Sequence, residues 1–372
     1  MDTRFETSSL KKVVIKLGSS SIIRPDGMVR LGFLGKLVTT IGRLHKKGIH
    51  FVVVSSGAIA MGAKRLQLDD YPVRIADKQA CASAGQTELM ALYENLFSTL
   101  SLKTGQVLLT RDDLEDRRRY LNARETLLRL LEMGVVPIVN ENDSVSVDEI
   151  KFGDNDELSA MVAGLVDADL LLLLTDVDGV YGSDPKKDPE AKVIPLIDSS
   201  KVEAMTWKNG NRFGSGGMNS KLEAAQLSRN MGTPCIICRS KGSVLEAALQ
   251  GEPVGTLILP QDRKPGAKNR WLAKAAPIAG TLVLDSGAIQ ALCENGKSLL
   301  PPGVKKVEGD FIRGAVVCLK DSAGNEIGRG VVRSASQDLE KIIGKHGDEI
   351  EGILGFTFGD EILHRDDLIL TK

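Results

Sequence analysis

The chain has 372 residues, 42% hydrophobic and 26% charged, with a formal net charge of −1. That balance is ordinary for a globular protein and gives no overall pull toward nucleic acid or an anionic membrane. Aromatic residues make up 4%, too few for the stacking platforms of single-strand binders.

The length favours two domains over one core. The N-terminal MDTRFETSSLKK has no apolar signal core, and no apolar run reaches the ~18 residues of a membrane span. The expectation is a cytoplasmic protein. In chain order, Val13-Val14-Ile15 opens a buried strand that ends at Lys16 and the turn Gly18-Ser19-Ser20. Leu34, Leu37, Val38, Ile41 and Leu44 recur at three- and four-residue spacing and predict a helix over 31–47, stopped by Gly48. A second strand, from Phe51, runs into Ser55-Ser56-Gly57-Ala58. A helix over 76–100, a strand over 106–110 and a helix over 120–133 follow. Val135 then starts a strand that ends in Asn140-Glu141-Asn142-Asp143, and Gly153-Asp154-Asn155-Asp156 precedes a helix over 158–166. The most apolar strand begins at Leu170 and ends in Thr175-Asp176.

Continuous apolar strands alternating with helices predict a three-layer α/β/α fold with a mainly parallel central sheet. GTLILP (255–260) closes this unit. Residues 261–277 change character: they are basic, with Arg263, Lys264, Lys268, Arg270 and Lys274, and hold Pro265, Gly266 and Pro277. Beyond them, short strands and glycine turns predict a small β-rich module. The domains read from this are 10–260, a linker over 261–277, and 278–372.

In open α/β sheets, ligands bind at the carboxyl ends of the strands, and here those ends carry the chemistry. GSGGMNSK (214–221) places backbone donors and Lys221 ahead of a helix, an arrangement that holds anions or is a structural turn. It is not a Walker A loop: the only Gly-Lys-Ser, 296–298, lacks the upstream glycine. Lys16, at the end of a buried strand, must be paired or functional, or else is a strand-end lysine that reaches solvent. Ser55-Ser56-Gly57 lets a ligand approach the backbone closely, or Ser56 is an N-cap. The polar clusters 140–143 and 153–156 present amides and carboxylates to a polar substrate, a metal or the lysines, or are turn chemistry. Thr175-Asp176 is a nucleotide edge or a plain loop. Cys235-Ile-Ile-Cys238 has no second pair or histidines at zinc spacing and reads as buried strand.

VVIKLGSSS, VVVSSGAIAMG, GQVLLTRDDLEDRRRYLNARET, VPIVNENDSV, FGDNDELSA, LLLLTDVDGVY and GSGGMNSK occur in this order. Together with GTLVLDSGAIQALCENGKSLLPPGVKKVEGDF and GRGVVR in the C-terminal part, they resemble the glutamate 5-kinases of the amino acid kinase superfamily, which carry a C-terminal PUA-like domain. The resemblance implies ATP-dependent phosphorylation of the L-glutamate side-chain carboxylate, the first step toward proline. It implies ATP and Mg²⁺ as cofactors, proline as an expected feedback inhibitor, and a homo-oligomer, dimer or tetramer. By motif, Lys16 and Lys221 would stabilise the phosphates and Asp156 would orient them. Ser56, Asp143 and Asn155, with Asn140 and Asp154 beside them, would hold glutamate. Lys16, Thr175, Asp176 and Ser215, Gly216, Gly217, Met218, Asn219, Ser220 and Lys221 would hold ATP. Ser215 stands where the family usually has threonine and keeps the hydroxyl.

The chemistry agrees independently. A side-chain carboxylate is ionised at neutral pH because free glutamate titrates near ~4.3, so no general base is required. Phosphoryl transfer asks for alignment and charge neutralisation. Two rivals stand beside this reading. One is another kinase of the superfamily, of the N-acetylglutamate kinase, aspartokinase or carbamate kinase type. The other is an RNA-binding protein acting through the C-terminal module. Residues 277–372 carry 11 Lys and Arg against 15 Asp and Glu, which opposes the second.

Overall fold

The protein is described by a computed structural model that covers residues 4–370 apart from 25, 69, 146–154, 184, 186–187, 198–216, 261–277, 346 and 356–360. The chain divides into two compact units, Met1–Asp262 and Arg263–Lys372.

Among the described residues of the first unit, eight strands form one sheet. They are β1 (Lys12–Leu17), β2 (His50–Ser55), β3 (Lys103–Leu109), β4 (Val135–Glu141), β5 (Leu170–Thr175), β6 (Leu196–Ile197), β7 (Cys235–Arg239) and β8 (Thr256–Ile258). Their order is β3-β4-β2-β1-β5-β7-β8-β6. Every pair is parallel except β7 with β8. Helices α1 (Ser19–Ile22), α2 (Leu31–His45), α3 (Ala58–Arg65), α4 (Ile75–Ser98), α5 (Arg111–Glu115), α6 (Arg117–Glu132), α7 (Asn155–Leu165), α8 (Gly217–Asn230) and α9 (Gly242–Leu249) connect or flank these strands.

The three layers follow from strand alternation. On β1, Val13, Ile15 and Leu17 enter a core with Leu34, Leu37 and Ile41 of α2, Leu89, Tyr93 and Phe97 of α4, and Leu245 of α9. Val14 enters the opposite core, with Leu127 of α6, Leu158 and Val162 of α7, and Ala224 of α8. By the same alternation Lys16 belongs on the α7 side. Ser55 of β2 and Asn140 of β4 belong on the α4 side. The parallel, doubly covered sheet agrees with the sequence reading.

Element ends differ from the sequence reading where a side chain intervenes. The helix expected over 120–133 starts at Arg117 because the Asp116 carboxylate accepts from the Arg119 N–H. The helix expected from 158 starts at Asn155, so Asn155 and Asp156 lie in a first helical turn rather than in a loop. Ser56 is not an N-cap: Gly57 holds that place before α3 at φ 103°, a conformation that favours glycine, with no side-chain cap.

Helices α3 and α4 approach as closely as backbones allow. A Cβ on Gly62 would lie 1.8 Å from the Cys81 carbonyl oxygen, and one on Gly85 would lie 1.9 Å from that of Ala58. This contact seats α4 beneath the end of β2.

In the second unit the strands β9 (Ile278–Leu284), β10 (Val304–Glu308), β11 (Val316–Lys320), β12 (Glu326–Val331) and β13 (Leu368–Leu370) are ordered β10-β9-β11-β12-β13. Helices α10 (Ser286–Cys293), α11 (Ser336–Ile342) and α12 (Gly347–Leu354) accompany them. Leu282, Leu292, Val317, Leu319, Leu339, Ile342 and Ile350 share its core. A β-rich C-terminal module was the expectation.

The close helix contact has a measurable consequence. Gly85→Ala is expected to lower stability by at least about 1–3 kcal/mol, the usual cost of overpacking. Gly32→Ala, on α2 with nothing within 4 Å of its Cβ position, is expected to be neutral or stabilising by up to ~1 kcal/mol. Urea denaturation of the two variants checks both.

Candidate active site

Lys16 lies on the central strand, between Val54 of β2 and Leu173 of β5. It is 1% exposed. Burying an ammonium this deeply requires a partner, and the partner is Asp156 in the first turn of α7. The Lys16 Nζ stands 2.7 Å from Asp156 Oδ1. Lys221, in the second turn of α8, reaches the other oxygen of the same carboxylate, its Nζ 3.1 Å from Oδ2. Ser220 Oγ also donates to Oδ2, at 2.9 Å. Two cations more than two hundred residues apart in sequence thus meet on one fully buried carboxylate.

Burial alone pushes the Asp156 carboxyl upward. The Lys16 and Lys221 ammonium groups outweigh it, so the net shift is below the usual carboxylate range. A depressed folded-state value means that the ionised carboxylate stabilises the fold above the unfolded-state value of ~3.9. That contribution is lost as pH falls through the folded-state value. The turn after β1 lies alongside: a Cβ on Gly18 would sit 3.6 Å from the Lys16 Nζ.

A second group of residues gathers at the ends of β2 and β4. Asn155 Nδ2 donates to the Ser55 carbonyl, to Ser56 Oγ and to Asn140 Oδ1, each at 2.9 Å. Asn140 Oδ1 also accepts from the Glu141 N–H, at 2.9 Å. The backbone fixes both amides, since the Ser55 carbonyl can only accept and the Glu141 N–H can only donate. Asn155 is therefore held with its Oδ1 turned away from these partners, buried and without a hydrogen-bond partner among the described residues. Ser56 Oγ already accepts from Asn155, so its own proton is left to donate elsewhere. An acceptor oxygen beside a hydroxyl donor complements an amino acid, through its ammonium and its carboxylate.

Of the other residues singled out in the sequence, Asp143 is half-buried in the turn after β4. Thr175 ends β5, buried, and its hydroxyl donates to the Asp176 carboxylate at 3.0 Å. Asp176 is exposed. Gly217, Met218, Asn219 and Ser220 form the start of α8. Asp154, Ser215 and Gly216 lie outside the described residues.

Sequence reasoning missed Gln86 and Tyr93, two turns apart on α4. Gln86 Oε1 accepts from Asn140 Nδ2 at 2.9 Å, and the fully buried Tyr93 hydroxyl bonds Ser55 Oγ at 2.8 Å. Polar groups on an otherwise apolar helix face were the available signal. It also missed the Arg239–Asp178 pair, 2.5 and 3.1 Å, between the end of β7 and the loop after β5. Cys235 and Cys238 lie buried in β7. Burial pushes the Cys235 thiol well up and the Cys238 thiol up to about 12, which suits packing and not redox chemistry. Among the described residues no helix is long and apolar enough to cross a membrane.

Residues 11–239 match the amino acid kinase family and residues 280–354 match the PUA domain. The glutamate 5-kinase of Carboxydothermus hydrogenoformans is 46% identical over 365 residues, covering 97% of this chain and 98% of that protein. That of a Nostoc species is 46% identical over 378 residues, covering both chains fully. The chain belongs to the glutamate 5-kinases, within the amino acid kinase family. A carbamate kinase from Giardia lamblia, solved with AMP-PNP, aligns with a TM-score of 0.51 at 19% identity. It covers 68% of this chain and 100% of that one. The likeness concerns the fold alone.

Removing the shared carboxylate leaves two buried ammonium groups facing each other. Asp156→Ala is expected to cost about 3–5 kcal/mol at neutral pH, the range for breaking a buried ion pair. The gap from wild type is expected to narrow as pH falls below the unfolded-state value of ~3.9 and to close only as pH passes through the depressed folded-state value. Urea titrations of both proteins at neutral and acid pH measure it.

Proposed function

We propose that this chain transfers the γ-phosphoryl group of ATP to the side-chain carboxylate of L-glutamate. A glutamate carboxylate oxygen forms the new bond to phosphorus, and the bond from phosphorus to the oxygen bridging to the β-phosphate breaks. ADP leaves with the electron pair, and the product is L-glutamyl 5-phosphate. The observation that carries this reading is the convergence of Lys16 and Lys221 on Asp156. Phosphoryl transfer is accelerated chiefly by fixed positive charge aimed at the transferring oxygens. Two ammonium groups held side by side by one carboxylate provide it without rearrangement during the reaction.

Lys16 and Lys221 are assigned to the phosphate oxygens and Asp156 to keeping the two cations spaced and aimed. Ser56 and Asn155 take the carboxylate and ammonium of glutamate, Asp143 assists at the ammonium, and Asn140 acts through Asn155. Asp154 is assigned to the same pocket. Thr175 and Asp176, with the turn from Ser215, Gly216 and Gly217 through Met218, Asn219 and Ser220 to Lys221, hold ATP. Mg²⁺ is assigned to the ATP oxygens, where it supplies further charge neutralisation. The catalytic domain is placed at 10–260 and the PUA-like domain at 278–372, joined by 261–277. A dimeric or tetrameric assembly, inhibition by proline at a site overlapping the glutamate pocket, and a cytoplasmic location complete the proposal, on the strength of the family.

ADP release from ATP is expected with L-glutamate and not with N-acetylglutamate, aspartate or carbamate, and to fall when proline is added. Lys16→Ala or Lys221→Ala is expected to lower kcat by orders of magnitude with the fold retained. Asp143→Ala or Asn155→Ala is expected mainly to raise the KM for glutamate. Near-normal turnover of both lysine variants overturns the assignment of roles.

A further inference from the structure

We propose that Gln86 of α4 is a positioning residue for the amino-acid substrate, acting through Asn140 on Asn155. This inference rests on the glutamate pocket proposed above. The chain of contacts is continuous: Gln86 Oε1 accepts from Asn140 Nδ2, and Asn140 Oδ1 accepts from Asn155 Nδ2, each at 2.9 Å. All three side chains are at least nine-tenths buried. Among the described residues, the acceptor for Asn140 Nδ2 is Gln86 Oε1. Without it, a buried amide donor loses its partner. The cheapest relief is rotation of the Asn140 side chain, which breaks its bond to Asn155. Asn155 then loses one of the restraints that keep its Oδ1 turned toward the substrate ammonium.

Two further features set Gln86 apart from ordinary helix packing. Its Nε2 is buried with no hydrogen-bond partner among the described residues. A methionine would fill similar space without that unmet donor, so the residue is explained by its oxygen and not by stability. Its neighbour Gly85 lets α4 come within backbone contact of α3, the helix that starts from the Ser55-Ser56-Gly57 turn. That approach is what brings a glutamine side chain of ordinary length to β4.

The test is steady-state kinetics on the full chain, reading ADP release with glutamate and ATP varied separately. Gln86→Met is expected to raise the KM for glutamate roughly tenfold, the usual consequence of one lost buried hydrogen bond. The KM for ATP is expected to stay within about twofold and kcat to fall less than the glutamate KM rises. Gln86→Glu keeps an acceptor oxygen facing Asn140 whether or not the carboxyl is protonated, and is expected to restore most of the affinity. Should Gln86→Met fail to fold, Gln86→Ala removes the same oxygen while leaving room, and carries the same expectation. A wild-type KM for glutamate in a folded Gln86→Met or Gln86→Ala overturns the proposal, as does an equal rise in both KM values. Absence of glutamate-dependent ADP release from the wild type overturns instead the reading on which the proposal rests.

Discussion

One fully buried carboxylate, Asp156, holds two ammonium groups that the chain brings from opposite ends of the catalytic unit. Two cations at this distance repel, and neither tolerates burial alone. The carboxylate answers both demands, using one oxygen for each lysine. The same arrangement stores what phosphoryl transfer needs, a fixed pair of positive charges in a site removed from bulk water. On the proposed assignment, stability and function are tied to the same three side chains. This explains why so polar a cluster sits where an apolar one would pack as well.

The rest of the first unit puts that cluster beside the pocket proposed for the amino acid. Strand alternation sends Lys16 to one face of the sheet, where α7 and α8 bring Asp156 and Lys221. It sends Ser55 and Asn140 to the other face, where α4 brings Tyr93 and Gln86. Asn155 and Asp156 are consecutive in the first turn of α7, so adjacent side chains serve the two groups: one is bonded into the β2 and β4 ends, the other into the lysine pair. In the proposed function, a single helical turn sets the acceptor and the phosphoryl donor against each other.

Much of this was legible in the sequence, for identifiable reasons. The apolar strands announced a parallel sheet. A lysine closing Val13-Val14-Ile15 announced a buried charge in need of a partner, and the ordered motifs pointed to the family. What periodicity did not disclose was that Asn155 and Asp156 begin a helix, because Asn and Asp read as turn formers until the packing of α7 is known. Gln86 and Tyr93 were invisible for a different cause. Their partners are about fifty and forty residues away in sequence, and only the close approach of α3 and α4 brings them together. The Arg239–Asp178 pair escaped likewise, since it depends on β5 and β7 being neighbours in the sheet.

The most direct test of this account is the turnover number of Asp156→Asn, an isosteric change that removes the charge while keeping a side chain of the same size between the lysines. With folding confirmed by circular dichroism and both substrates saturating, kcat is expected to fall by about 100-fold or more, the scale seen when a fixed electrostatic contact is lost from a reaction site. A folded Asp156→Asn protein that turns over glutamate and ATP within a few-fold of wild type would contradict it.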